Sequence, residues 1–147
     1  MTEPTPTGAN EQDSLVDTLV HSTFVTTAML NRIGAEHDLS LTQVRVLGIL
    51  RDTRAGITAL AEHLGLEKST MTGLVSRAEK RGLLRREPHP QDGRAVDIVL
   101  TDAGRTLING LRDQIDGLFA PMTAELTVAE QRRLQTLLQR MLAPRQH

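Results

Sequence analysis

The chain has no cysteine, tryptophan or tyrosine, and its two aromatic residues are Phe24 and Phe119. Without cysteine there is no disulfide framework, no thiolate nucleophile and no thiol redox switch, and any zinc would have to rest on histidine and carboxylate ligands. Two aromatics are too few for a cage around a planar cation. No apolar run approaches the roughly 20 residues that cross a bilayer, so no membrane partner is expected. The opening MTEPTPTGANEQD lacks the basic start and apolar stretch of a secretory signal. Its Pro, Thr and Gly content predicts a disordered tail over residues 1–12, and the chain is expected in the cytoplasm. Catalytic signatures are missing too: there is no GxSxG, no HExxH and no phosphate-cradling glycine loop. Paired acids such as Glu36 and Asp38 occur in any charged chain. Neither His21 nor His37 has a second histidine at metal-binding spacing, and no histidine lies between Arg94 and Gln146. No enzyme, metal or cofactor is expected.

What is present fits one soluble globular unit: 147 residues, 39% hydrophobic and 24% charged. Charge becomes informative once it is localised. The whole chain carries 17 Lys and Arg against 18 Asp and Glu, a net charge of −1. Between Lys68 and Arg94, seven basic residues face three acids, a net of +4 that leaves −5 for the rest of the chain. A near-neutral protein with its positive charge gathered in one stretch has the footprint of a polyanion-binding face.

Apolar residues recur at helical spacing from Asp13 to about Ala35, with Leu15, Leu19, Leu30 and Ile33 on one stripe and Val16, Val20, Phe24 and Ala28 beside it. Asp13 and Ser14 are suitable N-caps. A second helix is predicted over Thr42 to Asp52, burying Val44, Leu47 and Leu50. Thr58 is placed to cap a short third helix, which Gly65 ends, and a fourth runs from about Lys68 to Arg81. In this fourth helix Met71, Leu74, Val75 and Ala78 face inward, leaving a small-polar and basic outer face. Two helices joined by a glycine turn, with such a face on the second, form a helix-turn-helix whose second helix enters the major groove.

After Gly82, LLRRE and AVDIVL read as two strands of a hairpin, the second with Val96, Ile98 and Leu100 on one side and Asp97 on the other. PHPQDGR is the tip. A helix-turn-helix followed by a basic hairpin is a winged helix, and Arg94 stands where a wing meets the minor groove. Asp92, two residues away, orients that arginine or braces the wing. Arg85 and Arg86 alternate along a strand, so at most one of them faces DNA. Thr101 caps a fifth helix running to about Ala120, where Pro121 breaks or bends it. TVAE, Thr127 to Glu130, matches a capping box and starts a sixth helix with Val128, Leu134, Leu137, Leu138, Met141 and Leu142, which Pro144 ends.

The predicted class is therefore mainly α with a small β-hairpin wing. It combines a winged helix-turn-helix over residues 41–101 with a helical dimerisation region over 13–40 and 102–143, formed by the first, fifth and sixth helices. These three carry more apolar surface than the winged domain can cover, which points to a homodimer. Base edges and phosphates fall to Ser69, Thr70, Thr72, Ser76 and Arg77, phosphate mainly to Lys68 and Lys80, and the wing contact to Asp92 and Arg94.

LTQVRVLGIL, LAEHLGLEKSTMTGLVSRAEKRGLLRRE and DGRAVDIVLTDAG, in that order, resemble the MarR family of bacterial transcription regulators, over about Leu15 to Leu142. The last of the three is similar to the family's Asp-x-Arg wing followed by Leu-Thr-x-x-Gly. The resemblance implies a homodimer held by the first and last two helices, two winged lobes on a pseudo-palindrome of double-stranded DNA, repression of transcription, and often release by a small ligand. Glu67 stands where an aspartate is common, Gly73 where many members carry a longer side chain, and Gly93 leaves one arginine beside Asp92. Base contacts at positions 73 and 93 are therefore not carried over. The absence of cysteine separates the chain from the thiol-sensing branch. A small aromatic or anionic effector would need a basic group, for which His21, Arg32 and Arg45 are the candidates by location, and the residues leave open whether any ligand is sensed. The alternative function is a winged-helix module whose basic face docks an acidic protein without specific DNA readout.

Overall fold

The computed structural model describes residues 10–144. Its elements are α1 (Asn10–Glu36), α2 (Leu41–Asp52), α3 (Ile57–Leu64), α4 (Lys68–Lys80), β1 (Leu84–His89), β2 (Asp92–Leu100), α5 (Asp102–Thr123) and α6 (Val128–Leu142). The strands form one antiparallel hairpin, so the chain is mainly α with a β-hairpin wing, as the periodicity predicts. Of the tail expected over residues 1–12, residues 1–9 lie outside the described residues. The helix begins at Asn10, ahead of the expected Asp13, so Asp13 and Ser14 are helical positions and not caps. Glu11 and Gln12 are good helix formers, and each residue added to an existing helix gains a hydrogen bond.

Three further boundaries shift for local reasons. α2 starts one residue early because Ser40 and Gln43 close a capping box: Ser40 Oγ accepts the Gln43 N–H at 3.2 Å and Gln43 Oε1 accepts the Ser40 N–H at 2.8 Å. Thr58 does not cap α3, because the helix has already begun at Ile57. Ala55 and Ile98 exchange backbone hydrogen bonds of 3.4 and 2.7 Å, which hold the chain extended up to the Gly56 N-cap. Pro121 does not break α5, which runs two residues beyond it. The proline forfeits one intrahelical bond, and the Ala124 N–H still reaches Ala120 O at 2.9 Å.

The packing divides the chain into two units, with the division inside α5 between Leu111 and Arg112. The first unit holds the core. Leu47, Leu60, Met71, Val75, Ile98 and Leu111 are the largest fully buried side chains, drawn from α2, α3, α4, β2 and the start of α5. Each such side chain contributes about 1.5–3 kcal/mol over its exposed state. Glycine is required at Gly65 and at Gly104 for different reasons. Gly65, at φ 65°, makes the left-handed turn between α3 and α4. At Gly104 a Cβ would collide with the carbonyl oxygen of Leu83, so no side chain fits. Thr101 fixes that approach, donating its hydroxyl to Gly82 O at 2.5 Å and accepting the Gly104 N–H at 3.0 Å.

The second unit comprises the end of α5, a turn and α6. The capping box at Thr127 and Glu130 starts α6, and Gln131 Nε2 donates to Thr123 O and Leu126 O to tie the turn to it. No residue of α6 is buried.

Candidate nucleic-acid interface

The outer face of α4 follows from its inner one. Met71 and Val75 are fully buried, with Leu74 and Ala78 nearly so. At about 3.6 residues per turn, Ser69, Gly73, Ser76 and Lys80 lie opposite them, Thr72 and Arg77 flank that line, and Lys68 and Thr70 stand at its edges. Lys68, Ser69, Thr70, Thr72, Arg77 and Lys80 are exposed, and Ser76 is half-buried. Thr72 Oγ1 donates to Lys68 O at 2.9 Å, which leaves its oxygen as an acceptor. Arg77 folds back across Gly73, its Nη1 3.4 Å from where a Cβ would stand, so the missing side chain makes room for that guanidinium. Glu67 is the N-cap of α4 but makes no capping bond through its side chain. The Glu67 carboxylate thus satisfies none of the first backbone N–H groups at the positive end of the helix.

The wing is longer and tighter than its sequence suggests. Pairing continues to His89 and Asp92, so the turn itself is Pro90–Gln91, and Asp92 and Arg94 belong to β2. The register is regular from Leu84↔Leu100 to Pro88↔Val96 and then jumps to His89↔Asp92. Gly93, Arg94 and Ala95 therefore bulge from β2 opposite a single step of β1, a geometry that re-aims side chains. Asp92 Oδ1 accepts the backbone N–H of Arg94 at 3.1 Å, bracing the main chain. No ion pair joins its carboxylate to the Arg94 guanidinium among the described residues.

A correction concerns Asp97, expected on the solvent side of β2. It is 5% exposed, and its Oδ2 accepts the Arg54 Nε at 2.7 Å. Alternation places it correctly opposite Ile98, but the loop carrying Arg54 and Ala55 covers that side as well.

These contacts sort the seven cations of the basic stretch. Arg85 pairs with Glu87 at 2.6 Å and Arg86 with Glu79 at 2.9 Å. Arg81 donates to the carbonyls of His37 and Asp38 at the end of α1. Lys68, Arg77, Lys80 and Arg94 have no ion-pair partner among the described residues. An open cleft lined by Gly56, Thr58, Lys68, Thr72, Arg86 and Ala95 joins the start of α4 to the wing on one side of the unit. His21 and Arg32 on α1 and Arg45 on α2 are all exposed and do not line it.

Residues 37–95, from the end of α1 to the wing bulge, match the model of the MarR family. The transcriptional repressor IacR of Pseudomonas putida is 30% identical over 121 residues, covering 82% of this chain and 71% of that protein. The chain belongs to the MarR family. The homoprotocatechuate degradative operon repressor of Escherichia coli is 27% identical over 132 residues, 89% of each chain. The fold is shared with CouR of Rhodococcus jostii, crystallised with p-coumaroyl-CoA, at a TM-score of 0.79 and 22% identity over 95% of this chain and 99% of that one.

As a MarR-family protein the chain is a DNA-binding regulator of transcription and not an enzyme. The structure also gives a physical account of a family motif. In the Leu-Thr-x-x-Gly run, Leu100 is buried, Thr101 caps α5, and Gly104 admits the Leu83 carbonyl. Sequence reasoning missed Arg54, Asp97 and Ala55. The one local signal was a lone carboxylate in an otherwise apolar strand segment.

Proposed function

We propose that this MarR-family chain is a homodimeric repressor that binds a pseudo-palindromic operator, with α4 in successive major grooves and the wing bulge in the flanking minor grooves. The carrying observation is that all three acids of the basic stretch are engaged within the fold, two by arginines and Asp92 by its own turn, while Lys68, Arg77, Lys80 and Arg94 have no such partner. Arg77 reads a base edge across the gap at Gly73, with Ser69, Thr70, Thr72 and Ser76 serving bases or phosphates. Lys68, Lys80 and the uncapped start of α4 hold phosphate.

The homodimer is supported by apolar side chains that the single chain leaves exposed. Leu15, Val16, Val20 and Phe24 on α1, and Val128, Leu134, Leu137, Met141 and Leu142 on α6, are 37–79% exposed. A second copy is the partner that brings two lobes to two half-sites. Repression follows the relatives named as repressors, and the site of action is the cytoplasm. Relatives named for homoprotocatechuate degradation and bound to p-coumaroyl-CoA support a small aromatic or anionic effector for this chain too. Arg32, Arg45 and His21 remain the candidates for its acidic group.

Selection of bound sequences from a random duplex library, with wild type and Arg94→Ala in parallel, tests the proposal. It requires a two-fold-related motif with half-site centres about 10 base pairs apart, weakened by the substitution. Recovery of no motif would refute it.

A further inference from the structure

Glu87 on β1 and Asp97 on β2 are directly opposed in the hairpin register. Like charges at such a position repel, and Asp97 is buried. Arg54, from the loop between α2 and α3, resolves both problems. Its Nε donates to Asp97 Oδ2 at 2.7 Å, and its Nη2 lies 3.2 Å from Glu87 Oε2 and donates to Pro88 O at 3.2 Å. One planar guanidinium thus bridges three acceptors on both strands. The adjoining Ala55 adds two backbone hydrogen bonds to Ile98.

The location of this clamp gives it a consequence. Pro88↔Val96 is the last regular rung before the bulge that carries Arg94, and Pro88 has no N–H to give the ladder. Arg54 reaches that rung from outside the hairpin. We propose that Arg54 is a positioning residue for the DNA contact of the wing: by locking Asp97, Glu87 and Pro88, it fixes the direction in which the bulge presents Arg94. This rests on the DNA-binding role proposed for Arg94, and Arg54 itself touches no DNA in it.

The test is a double-mutant cycle on the full-length chain, using fluorescence anisotropy with the duplex selected by wild type at near-physiological salt. Arg94→Ala is introduced into wild type and into Arg54→Met/Asp97→Leu. The paired substitution removes the buried charge together with its partner, leaves the net charge unchanged and keeps Glu87 on Arg85. Exchanges of this kind leave stability near its original value, which the thermal midpoint monitors. Arg94→Ala should weaken wild-type binding about tenfold but the clamp-free background less than twofold. Arg54→Lys keeps the charge but cannot span three acceptors, and it should bring the Arg94 effect down to an intermediate factor of about three. General destabilisation would lower affinity in both arms and leave the ratio intact. A tenfold Arg94 effect that persists in Arg54→Met/Asp97→Leu or in Arg54→Lys overturns the inference. Absence of an Arg94 effect in wild type refutes the DNA role of the wing, and the inference falls with it.

Discussion

α4 and α6 carry the same kind of sequence and meet opposite fates. Both are short helices with apolar residues every three or four positions and charges between them. α4 buries Met71, Leu74, Val75 and Ala78, whereas α6 buries nothing and leaves Leu134, Leu137 and Met141 at 45%, 37% and 54% exposure. An amphipathic stripe encodes a demand for apolar contact but does not say which surface meets it. For α4 the surface is in the chain. For α6 we propose that it is in a second copy, and this contrast between internal and external partners leads to four predictions.

The largest effect belongs to the buried helix. Met71→Ala should cost about 2–5 kcal/mol and lower the melting point by roughly 10 °C at every protein concentration. Leu137→Asp should act differently, abolishing the dimer in sedimentation and weakening operator binding by about a hundredfold through the loss of two-site attachment. A folded monomer with full DNA affinity would show that α6 needs no partner. Arg94→Ala should reduce affinity about tenfold with the melting point within a degree or two, because its side chain has no ion pair to lose. Gly73→Ala is the smallest. It gains up to about 1 kcal/mol of helix propensity, and the Cβ would sit 3.4 Å from the mobile end of Arg77. The melting point should rise slightly, while the base preference at the Arg77 contact shifts.

The helices and the helix-turn-helix were legible because their signals are local. Stripe spacing, the left-handed glycine at Gly65 and the capping box at Thr127 all lie within a turn or two of the structure they specify. What escaped was set by distance or by competition between neighbours. Arg54 and Asp97 are 43 residues apart, and nothing near either one names the other. The start of α3 moved from Thr58 because Ala55 pairs with Ile98 in another element. The start of α2 is different, because Ser40 and Gln43 have the same local capping-box spacing as Thr127 and Glu130, and that signal lies in the sequence. Pro121 is a weaker stop than its residue type suggests, since a proline near the end of a long helix removes one bond among many. In the candidate interface, the residue types on α4 and in the wing were readable. The bulge that presents Arg94 and the pairing that neutralises Arg85 and Arg86 were not.

That pairing makes the central claim measurable: the fold sorts the basic stretch into engaged cations and cations left for DNA. The decisive experiment is the dependence of operator affinity on salt for wild type, Lys80→Gln and Arg85→Gln. Released counterions make the logarithmic slope count phosphate contacts, at about 0.9 per contact. Lys80→Gln should reduce the slope by about one unit per subunit, and Arg85→Gln, whose cation already faces Glu87, should leave it unchanged. Equal losses from both substitutions, or a loss from Arg85→Gln alone, would contradict the account.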